Sequence, residues 1–155
     1  MGSLLNIPRL YLLVLAIALF LFAMSLGPGP FVHPDDGFHP GIQHQFFSQL
    51  CHQMPDRSFF LDGKPMAVCA RCFGIYSVLP ALLLVLPFAT FRKSIKKKWA
   101  VRILVFVILI IGMDFLGDFI GLWANTHISR YITGAMLAAA IVGLIGKDLL
   151  KTQKP

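Results

Sequence analysis

Apolar positions along this chain gather into four long runs separated by polar stretches. Leu10 to Leu26 is apolar apart from Ser25, and Phe73 to Phe91 is a second run with Pro80 and Pro87 inside it. Val101 to Trp123 and the shorter Ile132 to Ile145 follow. Each comes near the roughly 20 residues an α-helix needs to span bilayer hydrocarbon. The pattern therefore predicts an all-α integral membrane protein. Four transmembrane helices are expected over about 9–27, 70–91, 100–123 and 129–147, all in one membrane domain covering 1–155.

The long polar stretch, 28–69, has a pattern of its own. Gly27-Pro28-Gly29-Pro30 ends the first run, and His33-Pro34-Asp35-Asp36-Gly37 has turn chemistry. Between Gly41 and His52, Ile42, Phe46 and Leu50 recur at four-residue spacing. That spacing predicts a short amphipathic helix lying on the membrane interface, with His44, Ser48 and Cys51 on its other face and Pro55 beyond its end. Ser58-Phe59-Phe60-Leu61 and Lys64-Pro65-Met66-Ala67-Val68 flank Asp62-Gly63, a tight-turn dipeptide, and predict a β-hairpin.

Composition supports the membrane assignment: 57% of residues are hydrophobic, 14% are charged, and mean hydropathy is +0.74. Charge then sets orientation. Arg9, the run Arg92, Lys93, Lys96, Lys97, Lys98 and Arg102, and Lys147, Lys151 and Lys154 fall on one side of the predicted helices. The other side carries Arg57, Lys64, Arg71 and Arg130 beside Asp35, Asp36, Asp56 and Asp62. The positive-inside bias predicts a multi-pass protein of the cell membrane with both termini cytoplasmic and the 28–69 loop outside. The net charge of +7 fits a bilayer partner. Anionic lipids are expected at the basic 92–102 loop, and nucleic acid is not, because no stacking aromatics interleave with that run. Ala23-Met24-Ser25 loosely resembles a signal-peptide cleavage site, but the apolar run is longer than a signal peptide's and only Arg9 precedes it, so a retained helix is expected.

The candidate chemistry lies at the outer side. Cys69-Ala70-Arg71-Cys72 opens the second predicted helix, where free backbone amides and the helix dipole favour thiolate, and Arg71 adds positive charge. Cys51 arrives beside His52 from the far end of the hairpin. A disulfide bracing the loop is the plain alternative, but three cysteines cannot all pair within one chain. His44, His52 and His127 lie where they could reach the thiols, whereas His33 and His39 read as solvated loop residues. In the third run, Asp114 and Asp118 stand four residues apart on one helical face. Burying a carboxylate there costs roughly 2.5–3.5 kcal/mol, so each needs a partner, a proton or water. Arg130 is the expected partner. Gly112, Gly117 and Gly121 are expected to leave gaps for a neighbouring helix. The chain has no phosphate-binding Gly loop, H-E-x-x-H zinc helix or Ser nucleophile elbow.

Cys51-His52-Gln53, Pro55, Arg57-Ser58-Phe59, Val68-Cys69-Ala70-Arg71-Cys72 and Gly74-Ile75-Tyr76 together resemble a family of small prokaryotic membrane proteins, domain of unknown function 2085. Asp114, Asn125, Arg130 and Thr133-Gly134 are similar to a second block of that family, so the resemblance runs from about Phe47 to Gly134. It implies a compact multi-helix membrane protein and no particular activity. Asp118 and His127 match none of its words.

Three functions remain open from the residues. Cys51, Cys69 and Cys72 could bind zinc or another transition metal, with His52, another histidine, an aspartate or water in fourth place and Asp114 or Asp118 as a catalytic base. The thiols could instead form a disulfide oxidoreductase coupled to quinone, although such enzymes ordinarily carry a second cysteine pair. Or the chain could be an accessory subunit of a membrane complex, with a membrane-protein partner or a second copy of itself. Arg57, Arg71 and Arg130 are then structural ion-pairing groups.

Overall fold

The computed structural model describes residues 9–27, 42–61, 63–88 and 97–151. Helix α1, Arg9–Ser25, holds Tyr11 and Ala18 on one buried face, seven residues apart. Tyr11 donates its hydroxyl to the Leu83 carbonyl at 2.5 Å, which satisfies that buried polar group. Around it Ala18, Leu83, Val142 and Leu149 form a core shared by three helices.

Helix α2, Ile42–Phe47, turns Ile42 and Phe46 outward and buries His44 and Phe47. The predicted apolar stripe is present, with Leu50 also exposed. The helix is shorter than the predicted stretch to His52. Leu50 and Cys51 both donate their amides to the Phe47 carbonyl, and Gln53 takes the left-handed conformation at φ 51°, so the chain turns before Pro55. Ser48, expected beside Cys51, is exposed and bonds the Gln45 carbonyl. A 3₁₀ turn, Pro55–Arg57, leads into strands β1, Phe60–Leu61, and β2, Lys64–Pro65, paired antiparallel with Phe60 opposite Pro65. The predicted hairpin thus forms. Gly63 supplies the positive φ of its turn, while Asp62 lies outside the described residues. Met66 extends the pairing to Phe59, and Ala67 donates to the Gly27 carbonyl, which anchors the loop to the end of α1.

Helix α3, Ala70–Val85, starts at Cys69 and ends six residues before the expected Phe91. Pro87 cannot donate a helical hydrogen bond, and residues 89–91 lie outside the described ones. Helix α4, Lys97–Phe119, likewise stops short of the expected Trp123. Leu122 donates to the Gly117 carbonyl and Gly121 to that of Asp118, with Gly121 at φ 74°: a Schellman ending. Helix α5, His127–Lys151, is capped by Thr126, whose hydroxyl oxygen accepts the Ser129 amide.

The most extensive packing is of α3 on α5; α4 also packs on α5, and α1 on α3. Close approach occurs where the chain has Gly74 and Gly134. A Cβ on Gly74 would overlap the Tyr131 carbonyl, and one on Gly134 the Arg71 carbonyl. The glycines expected to serve this purpose do not. Gly112 has open space beside it, Gly121 ends its helix, and Gly117 receives the indole of Trp123.

Two helices, Lys97–Phe119 and the His127–Gly146 part of α5, are long and apolar enough to cross a membrane. The expectation of four such helices is met only to that extent, because α1 and α3 have 17 and 16 residues. At a rise of about 1.5 Å per residue the shorter covers about 24 Å. On α4 the large side chains Phe106, Leu109 and Met113 are exposed, and only Ala100, Val107 and Gly117 are buried.

Candidate metal centre

The three cysteines converge from two elements. Cys51 follows the turn that ends α2, Cys69 caps α3, and Cys72 lies one turn into it. Their sulfurs lie within 4.8 Å of one another, and among the described residues no histidine, aspartate or glutamate joins them. The Cys69 amide, which α3 itself leaves without a partner, donates to the Cys51 sulfur at 3.2 Å. Cys51 is buried with Phe47, Ala67 and Val68, and Phe73 and Tyr76 pack against that group.

Hydrogen bonds from the Cys51 side chain, then from Cys72, hold the Cys69 thiol well below the ordinary thiol range. Cys51 is pushed the other way, first by its bond to Cys69. The trio thus stabilises a thiolate at the helix cap through neighbouring S–H donors. A soft ion would displace those protons.

Gln53 fixes the relative position of the two halves. Its side-chain amide donates to the His44 carbonyl at 2.7 Å and to the Ala67 carbonyl at 2.8 Å, joining α2 to the segment that leads from β2 to Cys69. In the sequence Gln53 stands out only as the last residue of Cys51-His52-Gln53, and nothing local in it signals this role. His52, expected as a ligand, is exposed and lines an open depression of about 460 Å³ with His44, Gln45, Ser48 and Gln53. Burial lowers the His44 pKa. His127 packs against Phe59, ring centroids 5.7 Å apart and tilted by 36°, rather than joining the sulfurs.

Arg71 lies between the two helix cysteines in sequence but not beside them in charge. Its guanidinium pairs with Asp114 at 2.5 Å and donates to the Thr133 hydroxyl at 3.3 Å. Asp118 pairs with Arg130 at 3.0 Å and accepts the Asn125 amide at 3.1 Å. Asn125 also donates its side chain to the Asp114 carbonyl, and Thr133 its hydroxyl to that of Arg130. One connected polar clasp therefore ties α3, α4 and α5 together at the end where the thiols sit. The sequence offered Arg130 to either aspartate; Asp118 takes it, and Asp114 takes Arg71. Arg57 pairs with its neighbour Asp56, at 3.7 Å, in an exposed pair of little energetic weight.

Residues 51–144 match the family described as a predicted membrane protein, DUF2085. The chain belongs to the DUF2085 family. The segment matched to DUF2085 opens at Cys51 and takes in all three cysteines and both aspartate–arginine pairs, leaving out α1 and α2. An uncharacterized protein of Methanocaldococcus jannaschii is 32% identical over 140 residues, covering 85% of this chain and 88% of that one. Another, from Methanothermobacter thermautotrophicus, is 26% identical over 109 residues, covering 67% of this chain and 93% of its own length. No solved structure matches.

Proposed function

We propose that this DUF2085 protein crosses the cell membrane with all four apolar helices, keeps both termini in the cytoplasm, and carries on its outer side a thiolate site for zinc or another thiophilic metal ion. The observation that carries the metal reading is the meeting of three sulfurs within 4.8 Å at the N-terminal cap of α3. Thiolates of this kind are soft donors that select soft or borderline ions. Cys51, Cys69 and Cys72 would hold the ion; for zinc, water or an outside donor would complete four-coordination. Asp114 and Asp118 act in this reading as positioning groups, since each is engaged by an arginine. The shorter α1 and α3 reach across through apolar flanks such as Leu26, Leu86 and Phe88, with local thinning of the bilayer. The basic stretch 92–102 rests against anionic lipid.

Elemental analysis of detergent-purified protein, combined with thiol counting, tests the site. The expected result is about one equivalent of a transition metal, with three thiols shielded from alkylation until a chelator is added. Replacing any one cysteine by serine should lower the bound metal and expose the other two. Less than about half an equivalent, together with one reversibly reducible disulfide, would replace this reading with the quinone-coupled oxidoreductase.

A further inference from the structure

We infer that the species this trio suits best is a trivalent metalloid, arsenite or antimonite, held by all three sulfurs in a neutral, three-coordinate pyramid. The inference rests on the thiophilic-site reading and narrows it. Coordination number is the first ground. Among the described residues the cluster supplies three ligand atoms and no fourth, from histidine, cysteine, aspartate or glutamate. Zinc wants four donors. A trivalent arsenic or antimony centre wants three, because its lone pair occupies the remaining position.

Charge is the second ground. The cation in the same helical turn, Arg71, is neutralised by Asp114. Among the described residues the sulfurs are left with backbone amide donors, from Cys69 and Gln53 to Cys51 and from Arg71 and Cys72 to Cys69, and with the partial charge at the start of α3, equivalent to about half a unit. Three thiolates around a monovalent ion such as Cu(I) leave two negative charges, and around zinc one. Around a trivalent centre they leave none. The surroundings make that difference matter: Cys51 is buried, and Phe47, Ala67 and Val68 are sealed beside it with Phe73 and Tyr76 packed against them. Uncompensated charge is expensive in such an environment.

The chemistry balances without an electron donor or acceptor. Arsenous acid reaches the site as a neutral molecule. At each sulfur an arsenic–sulfur bond forms and an arsenic–oxygen bond breaks. At Cys51 and Cys72 the S–H proton leaves with the hydroxide as water; at the Cys69 thiolate the departing hydroxide takes its proton from solvent. Three waters result, and arsenic stays in the +3 state throughout. A neutral reactant thus enters an apolar site, and a neutral complex remains there.

The test uses the full chain, purified in detergent, reduced and stripped of metal. Sodium arsenite, zinc chloride and anaerobic Cu(I) are titrated separately, and protection of each cysteine from alkylation is read by mass spectrometry. One equivalent of arsenite should protect Cys51, Cys69 and Cys72 together, and added zinc should not reverse it. Phenylarsine oxide, with two exchangeable positions, should protect two thiols and leave one alkylatable. That comparison needs only the wild-type chain. Cys51→Ser should weaken arsenite protection about 100-fold, the usual scale for losing one arm of a linked set. If zinc or Cu(I) protects all three thiols and arsenite does not displace it, or if arsenite protects only two, the metalloid assignment is overturned while the thiophilic site stands. If no ion protects any of the three, both readings fall.

Discussion

Gln53 shapes the thiol site without belonging to its ligand set. Its backbone sits at φ 51°, a conformation few residues other than glycine, asparagine and aspartate adopt readily, and its amide holds the carbonyls of His44 and Ala67. Cys51 and Cys69 follow from the two segments so joined. Gln53→Ala would leave both carbonyls without this donor and should lower stability by about 1–3 kcal/mol. Thermal unfolding in detergent measures that loss, and ion titration should show weaker binding because Cys51 is no longer held against α3. Gln53→Glu keeps the shape but sets carboxylate oxygens against the same carbonyls, so it should be at least as harmful. A glutamate variant that melts and binds like the wild type would show that these hydrogen bonds are dispensable.

Between helices, the decisive contact is the backbone approach of α3 to α5. A side chain at Gly74 or Gly134 would collide with main-chain atoms, which cannot rotate away. Gly74→Ala and Gly134→Ala should therefore separate the helices, displace Arg71 from Asp114, and lower the melting temperature sharply. Gly112→Ala is the matched control. It lies inside α4 with nothing within 4 Å, so the substitution should be neutral or stabilise by about 0.5–1 kcal/mol through better helix propensity. Equal losses in all three variants would mean that glycine content, rather than the α3–α5 contact, governs stability. Gly121→Ala should fall between them, since its φ of 74° strains any side chain while the space beside it is open.

For the molecule as a whole, two ion pairs neutralise four charges that a bilayer would otherwise reject. Arg71 and Asp114 are both mostly buried. Arg71→Ala should strand a carboxylate and cost up to about 3 kcal/mol, and adding Asp114→Asn should recover part of the loss. Double-mutant cycles by thermal unfolding should show coupling for Arg71 with Asp114 and for Arg130 with Asp118, and a smaller value for the crossed pair Arg130 with Asp114. Strict additivity in both direct pairs would remove the clasp. The orientation has its own measurement. After mild reduction and metal chelation, a membrane-impermeant thiol reagent should label Cys51, Cys69 or Cys72 in intact cells. Labelling confined to inside-out vesicles would reverse the topology.

Local rules sufficed wherever a neighbour in sequence is also a neighbour in space. The apolar runs marked the helices because a membrane or a core rewards continuous apolar faces. Asp62-Gly63 marked the hairpin because only certain residues take that turn, and Cys69-x-x-Cys72 placed two thiols in the first turn of one helix. Helix ends were less legible: Gly121 reads as a small packing residue until Leu122 is seen bonded back to Gly117. What tertiary structure alone decided was pairing across elements. Two aspartates four residues apart, and arginines on two other helices, permit several matches, and only the packing of α3 and α4 against α5 gives Asp114 to Arg71 and Asp118 to Arg130. His52 and Cys51 are adjacent in the chain, yet the turn at Gln53 leaves one exposed and the other buried against the helix cap. Identity and spacing state which groups are available, whereas direction in space depends on a backbone path that distant residues hold in place.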